Sequence, residues 1–536
     1  MSTTARSSRA AVGPASVSSG RDGRAAIAGV VATAVAVGVS ELLAGILPGA
    51  TSLVAAVGQV IIDLQPPGAK DVVVGLFGTN DKLALELFIL AVALLLGALL
   101  GIVGRRRYEV AAIAFVAFGV VGFLAALGDP LVDPAMAAIA TAISIGAGLW
   151  VLGWLLDHSG PTVRVVDTGD PGGRAVTAQM PDWSRRAFMI RAGAVGVGAV
   201  AAGAVGRSLL ERQRTAPTGS GPAVPPASVT VPAYGADGDL STTVAGLTPI
   251  VMPNNQFYRI DTSLLTPIVD TAGWSLRIHG LVDRETTLTW DQLIALPVFE
   301  QYVTIACVSN EVGGKLVGNA KWTGVRLRDV LDIAGVQTAA TQLVGRSVDG
   351  WTAGMPTAWV MDKSREPMIA LKMNDQPLPP IHGYPARLIV PGLYGYVSAT
   401  KWLKELELTT LEAFDGYWVP LGWAKEAPIL TQSRIDTPRG GVAAGQVAIA
   451  GIAWAPDRGI SRVEVAVDGV WRDARLSTPL ADTTWVQWVT EWAADPGRHV
   501  LMVRATDGTG AVQTEQSSPP APDGARGYHT VSVQVS

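Results

Sequence analysis

Four stretches, at about 24–47, 83–104, 109–127 and 135–156, are apolar over enough residues to cross a hydrocarbon core of roughly 30 Å as helices. A backbone in lipid has no water to bond with, so such stretches are confined to structures that satisfy their own amides. Residues 49–80 are also apolar, but Pro66-Pro67-Gly68 and the charges of Asp63, Lys70 and Asp71 interrupt them. That segment reads as re-entrant or interfacial. Arginines orient the bundle. Arg6, Arg9, Arg21 and Arg24 precede the first stretch, Arg105-Arg106-Arg107 follow the second, and Arg164, Arg174, Arg185 and Arg186 follow the fourth. The turn from Gly128-Asp129-Pro130 to Pro134 carries no Lys or Arg. Basic loops collect in the cytoplasm, which places the N-terminus and both basic segments inside.

Composition supports a membrane portion joined to folded domains. Only 16% of the residues are charged and the mean hydropathy is +0.33, against about 25% charged in ordinary soluble proteins. A single soluble enzyme and a disordered chain are both excluded. The 536 residues suggest about three or four units. The net charge of -4 offers no basic excess for nucleic acid. The one cysteine, Cys307, excludes intrachain disulfides, all-cysteine iron–sulfur clusters, Cys-rich zinc sites and covalent c-type haem.

Ser184-Arg185-Arg186-Ala187-Phe188-Met189 is a twin-arginine pattern, followed by a Gly/Ala-rich apolar stretch from about 188 to 206. This resembles an internal, uncleaved export signal whose helix leaves everything after about residue 207 outside the cytoplasm. Residues 215–235 read as a Pro/Gly linker. Beyond it the pattern is α+β. Trp274 to Leu281 and Arg387 to Val390 read as strands, and Trp290 to Ala295 as a short helix. Val325 to Ala334 has apolar residues at helical spacing and stops at Gly335. From about 430 the pattern is all-β, with alternation at Val463, Val465 and Val467 before an Asp468-Gly469 hairpin turn, and again at Val531, Val533 and Val535. Such strands suggest an immunoglobulin-like sandwich.

Cys307 ends the strand-like run Thr304-Ile305-Ala306-Cys307-Val308-Ser309-Asn310. A thiolate at a strand end serves as a soft metal ligand or as a nucleophile. A nucleophile needs a histidine base, and spacing alone places none of His279, His382, His499 or His529 beside it. Further on, His382, Arg387 and Lys401 sit among Gly/Pro-rich turns, from Gln376 through Val390-Pro391-Gly392-Leu393-Tyr394-Gly395 to Ala399-Thr400-Lys401-Trp402. Such a group is suited to holding an anion.

Residues 250 to 415 resemble the molybdopterin domain of the sulfite oxidase superfamily. The matching pieces are Asn255-Gln256-Phe257-Tyr258-Arg259, the Cys307 segment, Trp322-Thr323-Gly324-Val325-Arg326-Leu327, Asp349-Gly350 and the His382-to-Trp402 block. The β-rich tail is similar to that family's C-terminal dimerisation domain. The resemblance implies a molybdenum–molybdopterin cofactor with Cys307 as metal ligand. Asn255, Tyr258 and Arg259 then lie beside the pterin and the substrate pocket, and Arg259 holds an oxyanion. His382, Arg387 and Ala399, Thr400 and Lys401 hold the pterin and its phosphate, and Asp349 belongs to the same site. Tyr417 falls where sulfite oxidases carry an active-site tyrosine. One departure concerns residue 261, where vertebrate enzymes have a histidine two residues after the arginine and this chain has Asp261. Their additional substrate-binding arginines have no match. Sulfoxide reductases of the superfamily share the fold and the cysteine ligand, so the motif leaves the reaction direction open.

No transmembrane haem is expected, because His158 is the only histidine near a span. Glu41 and Glu86 lie inside predicted spans near their outer ends, either snorkelling to the interface or forming a quinone or proton site. The expected organisation is a multi-domain chain. A transmembrane all-α bundle occupies 1–160, a cytoplasmic loop with the signal-anchor helix 161–207, and a linker 208–240. An α+β molybdopterin domain covers 241–425, and an immunoglobulin-like, dimerisation-type domain covers 426–536. The expected function is a multi-pass cell-membrane enzyme with an extracytoplasmic catalytic domain. It acts on a small molecule such as sulfite, passes electrons to an external cytochrome or quinone, binds no nucleic acid and forms a homodimer. The competing readings are a sulfoxide reductase and a non-enzymatic, membrane-tethered binding module.

Overall fold

The computed structural model describes residues 15–66, 76–77, 81–157, 163–166, 176–179, 185–215, 223–235 and 238–536. It divides into two compact units, Met1–Arg212 and Gln213–Ser536. The expectations attached to Arg6, Arg9, Lys70, Asp71, His158, Arg174 and Ser184 lie outside the described residues.

The first unit contains helices α1 (Ala15–Ile46), α2 (Leu53–Asp63), α3 (Asp81–Gly104), α4 (Tyr108–Ala126), α5 (Pro134–Asp157) and α6 (Arg185–Thr215). Among the described residues five helices are long and apolar enough to cross a membrane, at 22–46, 81–104, 108–126, 134–157 and 186–213. The interrupted segment contributes α2, whose 11 residues are too few to span. A two-stranded antiparallel hairpin, β1 (Val163–Val166) and β2 (Val176–Gln179), lies in the basic loop and had no sequence signal. The helices pack through small residues. Ala25, Ala28 and Ala32 of α1 are fully buried, and Gly29 meets the backbone of Gly97 and Gly101 on α3 with no room for a methyl group. Glu41 and Glu86 both have partners. Glu86 takes two hydrogen bonds from the Arg207 guanidinium at 2.9 and 3.1 Å, and Glu41 accepts from the Ser52 hydroxyl. Glu86 thus forms an ion pair with Arg207 between α3 and α6.

The second unit is built from four sheets. One has the order β10-β9-β6-β5, with β11 also paired to β9; the next has the order β4-β3-β12-β7-β8. Their strands are β3 (Ser275–Gly280), β4 (Thr286–Thr289), β5 (Val298–Ala306), β6 (Val317–Arg326), β7 (Gln342–Ser347), β8 (Thr352–Pro356), β9 (Met368–Met373), β10 (Gln376–Pro377), β11 (Arg387–Ile389) and β12 (Leu403–Thr409). Pairing is antiparallel except for β12 with β3. The expected helices form, but the second begins at Leu327, because Val325 and Arg326 are the last residues of β6. Trp290–Ile294 starts on a capping box in which Thr289 and Gln292 bond each other's backbone amides. Leu327–Ala334 buries Leu327, Val330, Leu331 and Ala334, spaced to share one face, and stops at Gly335 with φ 73°. Residues 228–231, expected in the linker, instead lie along β5. Ser228 N–H donates to Val298 O, and Glu300 N–H to Val229 O.

Two further sheets, β13-β14-β18-β17 and β16-β15-β19-β20, follow from Gln432 to Val535. They share one core that includes Ile435, Ile449, Val463, Val465, Trp488, Leu501 and Val533. Asp468 and Gly469 adopt φ of 50° and 86°, the left-handed pair that a two-residue hairpin turn requires. The loop before β18 reaches back to β5. Thr304 N–H donates to Thr483 O, Trp485 N–H donates to Thr304 Oγ1, and the fully buried Trp485 indole donates to Ile250 O.

Candidate active site

Cys307 is the first residue beyond β5. Its N–H donates to Leu316 O at 2.9 Å. The turn behind it is closed by Asn310, whose N–H reaches Cys307 O at 3.1 Å and whose Oδ1 accepts from Leu316 N–H at 2.8 Å. Strand pairing on one side and this turn on the other leave the thiol a fixed, almost buried position, with Sγ 3.0 Å from Ser309 Oγ. Three tyrosines sense it. Burial, with the Cys307 charge second for Tyr258, pushes that phenol well above its ordinary range. Burial likewise raises Tyr394 to about 12, and raises Tyr396, with smaller contributions from Cys307. All three therefore remain protonated donors at neutral pH. Tyr394 and Tyr396 were not singled out from the sequence, although Leu393-Tyr394-Gly395 lies in the block that was.

A second group comes from the turns around β11. Gly383 has φ 112°, and a Cβ there would sit 3.0 Å from Lys401 Cβ and 3.1 Å from Arg387 Cβ. Only glycine lets the chain turn this tightly between two cations. His382 is buried, with Nε2 2.9 Å from Asn254 O. Burial, helped by the charges of Arg387, Lys401 and Arg259, lowers it to about 4, so it is neutral at physiological pH. Arg387 donates to His382 O at 3.0 Å and to Ala399 O at 3.4 Å, while its buried Nε has no hydrogen-bond partner. Burial lowers it to about 10, which leaves it cationic. Lys401 Nζ lies 2.7 Å from Asp261 Oδ2 and 3.2 Å from Ile381 O. Burial lowers it to about 8, and Asp261 works against that fall. Arg259 Nε donates to the same Asp261 oxygen at 2.9 Å, and its Nη2 to Thr266 Oγ1 at 3.3 Å.

The remaining expected residues divide. Burial raises the Asp349 carboxyl, which also feels Asp261 and Lys401. Asn255 is exposed, whereas its neighbour Asn254 is tied to His382 and to Met373 O. Ala399 contributes its carbonyl to Arg387, and Thr400 is fully buried with its hydroxyl toward Gly345 O. Tyr417 donates its backbone N–H to Thr352 O and packs edge-on against Trp418.

A buried guanidinium with an orphaned donor, a neighbouring ammonium and a fixed soft thiol fit a cofactor that carries both a phosphate and a thiophilic metal. Comparisons with known proteins agree. A model of the oxidoreductase molybdopterin binding domain matches residues 263–418. That range contains Cys307, Asp349, His382, Arg387, Lys401 and Tyr417, and begins just after Asp261. Mitochondrial sulfite oxidase of Homo sapiens is 30% identical over 321 residues, covering 50% of this chain and 58% of the relative. The uncharacterized oxidoreductase YuiH of Bacillus subtilis is 33% identical over 154 residues, covering 29% of this chain and 74% of the relative. Among solved structures, the sulfane dehydrogenase SoxCD of Paracoccus pantotrophus aligns with a TM-score of 0.47 and 24% identity, over 53% of this chain and 81% of that one. The matched range thus runs over both the Cys307 strand end and the cationic turns. On that footing the chain belongs to the sulfite oxidase superfamily of molybdopterin-dependent oxidoreductases, and its cofactor is molybdenum held by molybdopterin.

Proposed function

We propose that the chain is a membrane-anchored oxidoreductase whose catalytic domain lies outside the cytoplasm and transfers an oxygen atom on a small oxyanion such as sulfite. The chain spans 58% of the length of human sulfite oxidase, so this reading rests on the site's residues. The observation that carries it is the cationic group of Arg259, Arg387 and Lys401, linked to the thiol through Tyr258, which feels both Cys307 and Arg387. Arg259 and Lys401 share the Asp261 carboxylate, and Arg387 has carbonyl partners only.

In this reading Cys307 ligates the metal. His382, Arg387, Ala399, Thr400 and Lys401, with Asn255, Tyr258 and Asp349, hold the pterin and its phosphate. The bound cofactor supplies oxygen-atom and two-electron chemistry. Arg259 holds the oxyanion, and Tyr417 donates a hydrogen bond to it. Oxidation of sulfite with water gives sulfate, two protons and two electrons, and the electrons pass to an external cytochrome or quinone. The five apolar helices anchor the enzyme, the twin-arginine helix directs export, and the two C-terminal sheets form an immunoglobulin-like domain that supports a homodimer. The proposed domains are 1–160, 161–207, 208–240, 241–425 and 426–536.

The test is elemental analysis and pterin fluorescence on the purified chain, then turnover of sulfite and of neutral sulfoxides with dye electron partners. We expect about one molybdenum per chain and turnover of sulfite. Turnover of sulfoxides alone transfers the chain to the reductase reading, which the partial offset of Arg259 by Asp261 favours. Protease added to spheroplasts should digest the catalytic domain of the wild type but spare that of an Arg185→Lys/Arg186→Lys variant.

A further inference from the structure

The segment from Asn254 to Asp261 has no regular secondary structure, yet it carries Asn255, Tyr258 and Arg259. It is held at both ends by the cationic turns. At one end Asn254 O meets His382 Nε2 at 2.9 Å; at the other, Asp261 Oδ2 meets Lys401 Nζ at 2.7 Å. Between them Phe257 is buried edge-on against Trp322 and His382.

A carboxylate in a pocket that binds an anion is an electrostatic cost. Asp261 is nonetheless only 4% exposed at its side chain, and one of its oxygens receives hydrogen bonds from two cations. We propose that Asp261 is a positioning residue: its carboxylate straps the 254–261 segment to Lys401 and holds the Arg259 and Lys401 charges together at the cofactor cradle. The inference rests on the reading that these turns hold the pterin phosphate. It assigns a role to the position where the chain departs from the vertebrate pattern.

The charges around Lys401 explain why a carboxylate is needed. Arg387 and Arg259 face it and work to remove its proton, whereas Asp261 works to keep it. His382 and Asp349 face the same lysine, the first held neutral and the second pushed toward its protonated form. Among these groups Asp261 is the one in direct contact with the ammonium. Without it two like charges repel, the segment loses its second tie, and the ammonium gives up its proton nearer to neutral pH.

The experiment follows the pterin and molybdenum retained by the holoenzyme after gel filtration at several pH values, with the melting temperature of cofactor-free protein as a fold control. Wild type should retain its cofactor near pH 6 and lose it as Lys401 gives up half of its charge near pH 8. In Asp261→Asn the same loss should set in at lower pH, so that near pH 7 the variant releases its cofactor about tenfold faster than wild type. Asp261→Glu should restore most of the retention. In Asp261→Asn/Lys401→Arg the pH dependence should vanish, because a guanidinium does not titrate there. Wild-type retention by Asp261→Asn at every pH overturns the proposal, as does equal loss at every pH in both the single and double variants. Wild type purified without pterin or molybdenum overturns the cofactor reading and this inference with it.

Discussion

Two arginines of the second unit are equally buried and live in opposite circumstances. Arg434, on β13, donates to Asp436 at 2.6 Å, to Gly314 O at 2.7 Å and to Thr248 Oγ1 at 2.8 Å. Arg387, on β11, reaches two carbonyls, and its Nε reaches nothing. Both are 5% exposed, so both have surrendered most of their hydration. For Arg434 the chain itself supplies the compensation, because Asp436, Gly314 O and Thr248 Oγ1 all meet its guanidinium. For Arg387 the compensation is incomplete. The difference separates a charge that serves the fold from one that serves a bound anion.

The largest effect should fall on the binding side of this comparison. Cys307→Ser should reduce turnover to background while pterin stays bound, because an alkoxide is a harder and poorer donor than a thiolate. Full activity in that variant would falsify the ligand assignment. Next come the two arginines. Arg434→Met should cost up to about 3–5 kcal/mol of stability, because the buried Asp436 then keeps only the Thr248 N–H at 3.1 Å and Arg439 at 3.7 Å. Arg387→Met should leave the melting temperature of the cofactor-free protein unchanged or higher and abolish cofactor retention. Equal destabilisation by both substitutions would erase the distinction.

Arg259→Gln should lower kcat/KM for an oxyanion by about 2–4 kcal/mol, roughly 30- to 1000-fold, and affect a neutral sulfoxide much less. Sulfite turnover indifferent to the change removes Arg259 from the pocket. The smallest effect concerns acid. Burial holds both His382 and His529 near 4, below the 6.5 of an unfolded histidine. The unfolded chain therefore binds these protons first. The stability of the cofactor-free protein should decline as pH falls from about 6.5 through about 4, by about 2–3 kcal/mol per histidine. Chemical denaturation at both pH values, with His382→Gln for comparison, measures this. An unchanged acid dependence in that variant rules out a buried neutral His382.

Local pattern was enough to place the spans, the Leu327–Ala334 helix, the Asp468-Gly469 hairpin and the thiol at the end of β5. Each depends on periodicity or turn chemistry within a dozen residues. The pairings that define the site are of another kind. Asp261 and Lys401 are 140 residues apart, and Glu86 and Arg207 are 121 apart. No periodicity links such partners; only the assembled sheets and helices bring them together. The same holds for Tyr394 and Tyr396, whose relation to Cys307 depends on where the chain after β11 returns to the end of β5. Residues 228–231 look like linker because a short stretch pairing along a strand edge needs no alternation of its own.

The contact of Thr304 with Thr483 and Trp485 sets an order of events. Trp485 is 181 residues beyond Thr304. The strand that presents the thiol thus receives these bonds only once the chain through Trp485 has been made. Closing so long a loop is entropically slow compared with forming the neighbouring helices. A chain stopped at β12 therefore lacks the contacts that Thr483 and Trp485 make with Thr304, three residues before Cys307.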